Sequence, residues 1–198
     1  SRPPHCPSYS VVHPDKIIKE SGTGTFGKVF QCEDSESGRE VAVKVVRSVP
    51  RYTESAEVEA RILTVVNRAD PRNESACVRF HSTFTHGAHM CMVFDLLGPS
   101  VYDYLKANKY RPLPLYCVQA FADQLCWAVA YLHAMGLTHT DLKPENMLIA
   151  PCEFTPTSAR TYTRESRTVL APSTTTMKRA CGTCGGGAAV LLCPCVSE

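Results

Sequence analysis

The most constraining feature of this chain is a lysine inside a run of apolar, mostly β-branched residues. The run is Val41-Ala42-Val43-Lys44-Val45-Val46, a composition that predicts a strand. On a strand, Lys44 shares one face with Ala42 and Val46. Because lysine is seldom buried without a partner, such a strand needs a carboxylate nearby, unless the Lys44 side chain extends to water.

Glu59 is the candidate partner. The stretch 52–67 has a helical pattern, and its stripe at three- or four-residue spacing contains Ala56, Glu59, Leu63 and Val66. A carboxylate on an apolar stripe is tolerated if it meets an ammonium group. We therefore predict a Lys44–Glu59 ion pair between strand and helix; the alternative is an exposed Glu59.

Upstream lies a glycine-rich segment, Gly22-Thr23-Gly24-Thr25-Phe26-Gly27. Its flanks, 16–19 and 28–32, mix polar and apolar residues as two antiparallel strands would. The pattern therefore predicts that this segment is the turn of a β-hairpin. Glycines let a backbone approach a phosphate closely, although an ordinary hairpin turn has the same composition.

Downstream, a helix is predicted over 114–135, with apolar residues at helical spacing: Val118, Phe121, Leu125, Val129 and Leu132. Gly136 stands where a C-cap glycine is expected. A polar segment follows, His139-Thr140-Asp141-Leu142-Lys143-Pro144-Glu145-Asn146. The apolar stretch 90–94 predicts a short strand before the helix.

In this order, the motifs resemble those of protein kinases. The segments 137–146 and Val93-Phe94-Asp95-Leu96-Leu97-Gly98, with Arg51-Tyr52 and Tyr102-Asp103, are similar to LAMMER-type (CDC2-like) dual-specificity kinases. The resemblance implies an α+β, protein-kinase-like fold. Its N-terminal lobe, an antiparallel five-stranded sheet plus helix C, would be complete, and its helical C-terminal lobe would be partial.

The resemblance also implies roles. Asp141 would accept the substrate hydroxyl proton, Lys143 would neutralise phosphoryl charge and Asn146 would bind magnesium, while His139 would be a structural support. ATP would be bound by residues of the glycine-rich segment, strands, helix C and hinge: Gly22, Gly24, Gly27, Val29, Ala42, Lys44, Glu59, Phe94, Asp95, Leu97 and Leu148. ATP and magnesium are thus the expected cofactors.

Three departures from the family pattern matter. No aspartate follows Asp141, so the metal-binding aspartate of an Asp-Phe-Gly motif is absent and the resemblance stops before that motif. Ser21 replaces the aliphatic residue expected to pack on adenine, which predicts weaker nucleotide binding. Thr140 replaces an arginine, so it cannot pair with a phosphorylated activation loop.

The expected organisation has five parts. A flank (1–15) precedes the N-terminal lobe and hinge (16–98) and the partial C-terminal lobe (99–150). A Ser/Thr-rich segment (151–179) is expected to be disordered. The final part (180–198) contains four cysteines but no lysine, arginine or aromatic residue, and is expected to be an unrelated tail that replaces the family's continuation through splicing, a frameshift or an imperfect gene model.

The tail cysteines Cys181, Cys184, Cys193 and Cys195 admit a zinc hypothesis, but the second pair is closely spaced and no histidine lies nearby. The net charge of +2 gives no case for direct nucleic-acid binding. No signal peptide or membrane-spanning segment is visible, and the scattered cysteines fit reduced thiols. The expected location is the nucleus or cytoplasm.

Three hypotheses compete for function. The first is a protein kinase that phosphorylates Ser, Thr and, by resemblance, Tyr on protein substrates such as Ser/Arg-rich splicing factors. The second is a catalytically inactive module that binds nucleotide or a partner covering the incomplete C-terminal lobe. The third is the small metal site in the tail.

Overall fold

The computed structural model describes residues 16–35, 37–150 and the backbone of 190–192. Its main feature is an antiparallel five-stranded sheet with the order β1-β2-β3-β5-β4. The strands are β1 (Lys16–Thr23), β2 (Gly27–Asp34), β3 (Arg39–Val46), β4 (Phe80–His86) and β5 (His89–Asp95). This is the sheet that the sequence predicts.

Strand β3 divides the core into two sides. Val46 is buried with residues of the following helix, and Ala42 packs against the same cluster. Val41 and Val43 are buried on the opposite face, with Cys91 and other apolar residues. The predicted shared face of Ala42, Lys44 and Val46 is therefore confirmed, because alternate residues of a strand point to opposite sides.

Helix α1 (Pro50–Ala69) packs on the first of these faces. It begins at Pro50, since proline at the first helical position loses no intrahelical hydrogen bond. The predicted range 52–67 was short by two residues at each end. The buried stripe is Ala56, Ala60, Leu63 and Val66, so the pattern had missed Ala60.

Two further helices follow the sheet, α2 (Val101–Ala107) and α3 (Leu115–Ala134). The Ser100 hydroxyl caps α2 by accepting a hydrogen bond from the Asp103 backbone N–H at 3.0 Å. Beyond α3, Gly136 has a φ of +73°. The predicted glycine terminator is confirmed, since glycine takes this left-handed conformation without a Cβ penalty.

Helix α3 is joined to α1 by a shared core of Val66, Cys77, Ala128 and Leu132. Two hydrogen bonds extend from α3, one to α1 and one to the loop that follows it. The Tyr131 hydroxyl donates to the Val66 carbonyl at 2.8 Å, and the Trp127 indole N–H donates to the Glu74 carbonyl at 2.9 Å. The helical part is therefore anchored to the same helix that carries Glu59.

The first half of α3 is much less covered. Of the apolar residues that define its predicted pattern, Leu132 is buried but Val118 is 47% exposed, and the neighbouring Leu115 is 72% exposed. Helical periodicity predicted the helix correctly. It could not tell which part of the stripe is covered by the rest of the protein.

The polar segment leads into a short 3-10 turn, Pro144–Asn146, and strand β6 (Met147–Ile149). A strand in the tail, β7 (Val190–Leu192), pairs antiparallel with β6; no pattern in the sequence predicts this strand. The expectations for 1–15, 151–179 and the tail cysteines lie outside the described residues. Within the described ranges, no helix is long and apolar enough to cross a membrane.

Candidate active site

Lys44 and Glu59 are in direct contact. The Lys44 Nζ donates hydrogen bonds to both Glu59 carboxylate oxygens, at 2.9 and 2.7 Å. The two side chains retain only 26% and 14% of their exposure. The predicted ion pair is thus confirmed: strand β3 turns Lys44 toward α1, and the apolar stripe of α1 turns Glu59 toward the strand.

Register places five of the predicted nucleotide-binding residues on one face of the sheet. Gly22 pairs with Val29, and Val29 pairs with Lys44. Two residues before Lys44 on β3, and on the same face, Ala42 pairs with Phe94. Directly paired residues share a face, as do alternate residues of one strand. A glycine, apolar side chains and the paired lysine thus lie together.

The glycine-rich turn is shaped by one close approach. A Cβ placed on Gly27 would lie 2.1 Å from the Val45 carbonyl oxygen, whereas one placed on Gly22 would meet no atom within 4 Å. Gly27 is therefore needed for the fold of the hairpin. Gly22 leaves open space on the face that holds Lys44.

Glu20 fastens the two strands of the hairpin together next to the glycine-rich turn. Its carboxylate accepts a hydrogen bond from the Thr23 hydroxyl and one from the Lys28 Nζ at 2.9 Å. These hydrogen bonds, first that from Thr23 and then that from Lys28, hold the pKa of Glu20 below its ordinary value. Ser21, the departure noted in the sequence, is exposed beside it.

Asp141, Lys143 and Asn146 also converge. Lys143 Nζ lies 2.7 Å from Asp141 Oδ2, and Asn146 Nδ2 donates to Asp141 Oδ2 at 3.0 Å and to the Asp141 carbonyl at 2.8 Å. The hydrogen bond from Lys143 is the main reason that the pKa of Asp141 lies below its ordinary value, and Asn146 adds to the effect. Asp141 is therefore an ionised carboxylate at neutral pH.

His139 is buried next to Asp141, with 8% of its surface exposed. Its Nδ1 accepts a hydrogen bond from the Asp141 backbone N–H at 3.2 Å. This position agrees with the predicted structural role, because the ring supports the backbone of Asp141. The neighbouring Thr140 is exposed.

Phe94 and Asp95, at the end of β5, contact different side chains. Phe94 is 7% exposed and packs on Phe80, with ring centroids 5.6 Å apart. Asp95 engages two side chains of the sheet, His81 at 2.7 Å and Arg39 at 3.8 Å. Its carboxylate is therefore occupied within the sheet, and its backbone N–H donates to the Arg79 carbonyl at 3.0 Å.

Strand β6 is bonded to the chain just after the hinge. The Gly98 N–H donates to the Ile149 carbonyl at 2.8 Å, and Ser100 forms an isolated bridge with Leu148. A Cβ on Gly98 would lie 2.7 Å from the same carbonyl oxygen. These contacts hold Leu148 beside the segment that follows the hinge. Leu97, within the hinge, is partly buried against the α1 core.

Three contacts around the glycine-rich turn were not predicted from the sequence. They involve Phe26 and Tyr52, whose rings meet, and Arg47, which donates hydrogen bonds to the turn. The only signal in the sequence was an aromatic residue between glycines. Nothing in local spacing indicates which side chain such a ring would meet.

The residues present fit a nucleotide better than a full metal site. Asn146 bonds to Asp141 through Nδ2, and its amide oxygen Oδ1 is the type of atom that ligates magnesium. No further aspartate follows in the sequence, and the described ranges contain no cluster of three or more His, Cys, Asp or Glu residues suited to a metal. Within residues 1–198 the usual pair of protein ligands is therefore incomplete.

A separate cavity of about 450 Å³ lies between α1 and β4. Its lining includes Glu57, Arg61 and His81. It contains none of the predicted site residues and is not part of this site.

Comparison with known proteins is consistent with this geometry. The family described as "Protein kinase domain" matches residues 16–155, a range that includes every predicted site residue. The dual specificity protein kinase lkh1 of Schizosaccharomyces pombe is 47% identical over 133 residues, covering 67% of this chain and 19% of that protein. Human dual specificity protein kinase CLK2 is 43% identical over 155 residues, covering 78% and 31%.

A plant relative and a solved structure extend the comparison. The serine/threonine-protein kinase AFC3 of Arabidopsis thaliana is 38% identical over 165 residues, which cover 82% of this chain and 41% of that protein. A crystal structure of a kinase domain matches with a TM-score of 0.64 and 40% identity, covering 67% of this chain and 38% of that one. The chain thus spans between a fifth and two fifths of these relatives.

Proposed function

Because the chain belongs to the protein kinase family, whose relatives here are LAMMER-type dual-specificity kinases, we propose that its described residues form an ATP-binding and catalytic-loop region. One observation carries the proposal: Lys44, paired with Glu59, lies on the same sheet face as Gly22 and Val29. In protein kinases such a lysine contacts the phosphates, and the glycine-rich loop covers them.

The proposed reaction is transfer of the γ-phosphoryl group of ATP to a hydroxyl of a protein. The bond between the γ-phosphorus and the bridging oxygen of ADP breaks, and a bond to the substrate oxygen forms. The ionised Asp141 orients the hydroxyl and takes its proton. Lys143, 2.7 Å from that carboxylate, supplies positive charge next to the transferred group.

Magnesium, when bound, neutralises phosphate charge during such a transfer. In this sequence Asn146 is the candidate ligand, and the aspartate that usually accompanies it is missing. The set of protein ligands for magnesium is therefore incomplete, and no step of the reaction is assigned to the metal.

For substrates, we propose serine and threonine side chains of proteins, with tyrosine in addition. The support is the resemblance to relatives named dual specificity or serine/threonine-protein kinases. Ser/Arg-rich proteins of the splicing machinery are the finer proposal, and with them a location in the nucleus or the cytoplasm.

A second candidate function is nucleotide binding without transfer. It is favoured by one observation, the lack of any aspartate after Asp141. A module of this kind would act by binding a partner, and the exposed Leu115 and Val118 on α3 form an apolar surface that such a partner would cover.

Two assays on the purified chain separate these functions. Calorimetric titration with ATP measures binding, and transfer of label from γ-labelled ATP to a Ser/Arg-rich peptide measures catalysis, with Asp141→Asn as the matched control. Binding with transfer that Asp141→Asn abolishes supports the kinase proposal. Binding without transfer supports the second function, and no binding by a cooperatively folded chain contradicts both.

A further inference from the structure

Phe26, at the tip of the glycine-rich turn, is 58% exposed. Its ring meets the ring of Tyr52 edge-on, with centroids 5.4 Å apart and planes at 82°. Edge-to-face aromatic pairs are favourable beyond the area that they bury. The tip of the turn is therefore held by an aromatic contact with another element and does not simply extend into solvent.

Tyr52 is a firm anchor for this contact. It lies in the first turn of α1 and packs partly against the cluster that contains Ala56 and Val46. The helix begins without a side-chain cap, because its N-cap residue is Val49. Since no side-chain capping hydrogen bond fixes this helix end, contacts such as the one with Phe26 help to set its position.

Arg47 provides a second connection, from the end of β3. Its backbone N–H donates to the Phe26 carbonyl at 3.0 Å, and its guanidinium donates to the Gly24 carbonyl at 3.4 Å. Arg47 follows Lys44 by three residues. The turn is thus joined to the strand that carries the lysine and to the helix that carries Glu59.

From these contacts we propose that Phe26, Tyr52 and Arg47 are positioning residues of the glycine-rich turn. Phe26 and Tyr52 couple the turn to helix α1, and Arg47 couples it to the end of β3. Through this coupling, the turn and the Lys44–Glu59 pair keep a fixed relation around a triphosphate. The inference rests on the proposed nucleotide site and deepens it: the coupled element recognises phosphate groups, not the adenine ring. None of the three side chains needs to touch the nucleotide.

The test is a double-mutant cycle in the full chain, with Phe26→Leu, Tyr52→Leu and the double variant. Tyr52→Phe keeps the ring, and Tyr104→Leu removes an exposed aromatic on α2 as a matched control. Dissociation constants are measured for ATP and for adenosine, which lacks phosphates. Independently of any ligand, amide hydrogen exchange is measured by NMR at Gly24 and Arg47, whose N–H groups bond within the turn or to it.

The proposal predicts that Tyr52→Leu weakens ATP binding by about 2- to 10-fold, the equivalent of one aromatic pair, and leaves adenosine binding unchanged. The double variant should be no weaker than either single variant. Exchange at Gly24 and Arg47 should accelerate in Tyr52→Leu but not in Tyr52→Phe or Tyr104→Leu.

Equal weakening of ATP and adenosine, or additive effects of the two substitutions, would overturn the proposal, as would unchanged exchange in Tyr52→Leu. If the unmodified chain binds no ATP, the proposed function fails. The exchange rates then decide on their own whether the turn is coupled to the helix, so the two failures are distinguishable.

Discussion

At the scale of single residues, Lys44 and Glu59 depend on each other. Each would be a poorly solvated charge alone, since their side chains are only 26% and 14% exposed. Replacing Lys44 with methionine leaves the Glu59 carboxylate without this cation, and we expect a loss of about 1.5–3 kcal/mol in the free energy of unfolding. Urea denaturation measures it.

The matched control is Lys16→Met. Lys16 pairs with Glu33 at the same distance of 2.7 Å, but its side chain is 65% exposed. An exposed pair contributes less than about 1 kcal/mol. An equal loss in the free energy of unfolding for the two substitutions would show that the Lys44–Glu59 pair contributes no more than an exposed ion pair.

Asp141 offers a prediction about its pKa. Its carboxyl is held below the ordinary pKa chiefly by the hydrogen bond from Lys143. Lys143→Ala should therefore raise the pKa of Asp141 toward the ordinary value, and Asn146→Ala should raise it less. NMR titration of the carboxyl carbon measures both; an unchanged pKa in Lys143→Ala would contradict the contact.

The glycines of the turn should separate stability from binding. In Gly27→Ala the new Cβ would lie 2.1 Å from the Val45 carbonyl, so the hairpin must shift, and we expect a destabilisation of about 1–3 kcal/mol. Gly22→Ala has open space around its Cβ and should keep its melting temperature yet bind ATP more weakly. Thermal melts and calorimetry compare them, and the reverse order would refute this division.

At the scale of elements, the connection between α1 and β4 is held by Asp70. Burial by itself raises the pKa of this carboxyl, but hydrogen bonds from Glu74 and Ser75 and the charge of Arg79 outweigh it, so the pKa is lowered. A lowered folded pKa means that Asp70 stabilises the fold above about pH 4, its unfolded value. This contribution is lost as pH falls through the folded pKa.

Asp70→Asn should therefore be less stable than the unmodified chain at pH 7, with the difference shrinking as the pH falls below about 4. Urea unfolding across this range measures the difference. Asp123→Asn, at an exposed position on α3, is the control and should show no such trend. A difference that stays constant with pH would rule out this role for the Asp70 carboxylate.

The secondary-structure elements also show which features of the fold can be predicted from the sequence. The strand around Lys44, the helix with Glu59 and the glycine after α3 follow from local patterns, because strand alternation, helical spacing and left-handed φ are properties of neighbouring residues. The Lys44–Glu59 contact was predictable because each charge needed a partner. The Phe26–Tyr52 contact and the pairing of 190–192 with β6 join residues whose side-chain patterns give no mutual signal.

At the scale of the molecule, the sheet part and the helical part meet through one core. Val66 and Cys77 are buried against Ala128 and Leu132, so the element that carries Glu59 is packed on the helix leading to the Asp141 loop. The two halves of the candidate site are thus positioned by a common helix. The exposed first half of α3 marks the boundary of this core.

The measurement that tests the account most directly is calorimetric titration of the chain with ATP, alongside the same titration of Lys44→Met. We predict saturable binding that adenosine displaces and that weakens strongly when Lys44 is replaced, because Lys44 is a cation on the sheet face that we propose binds the phosphates. Binding of equal strength in both proteins, or none to a chain that melts cooperatively, would contradict the account.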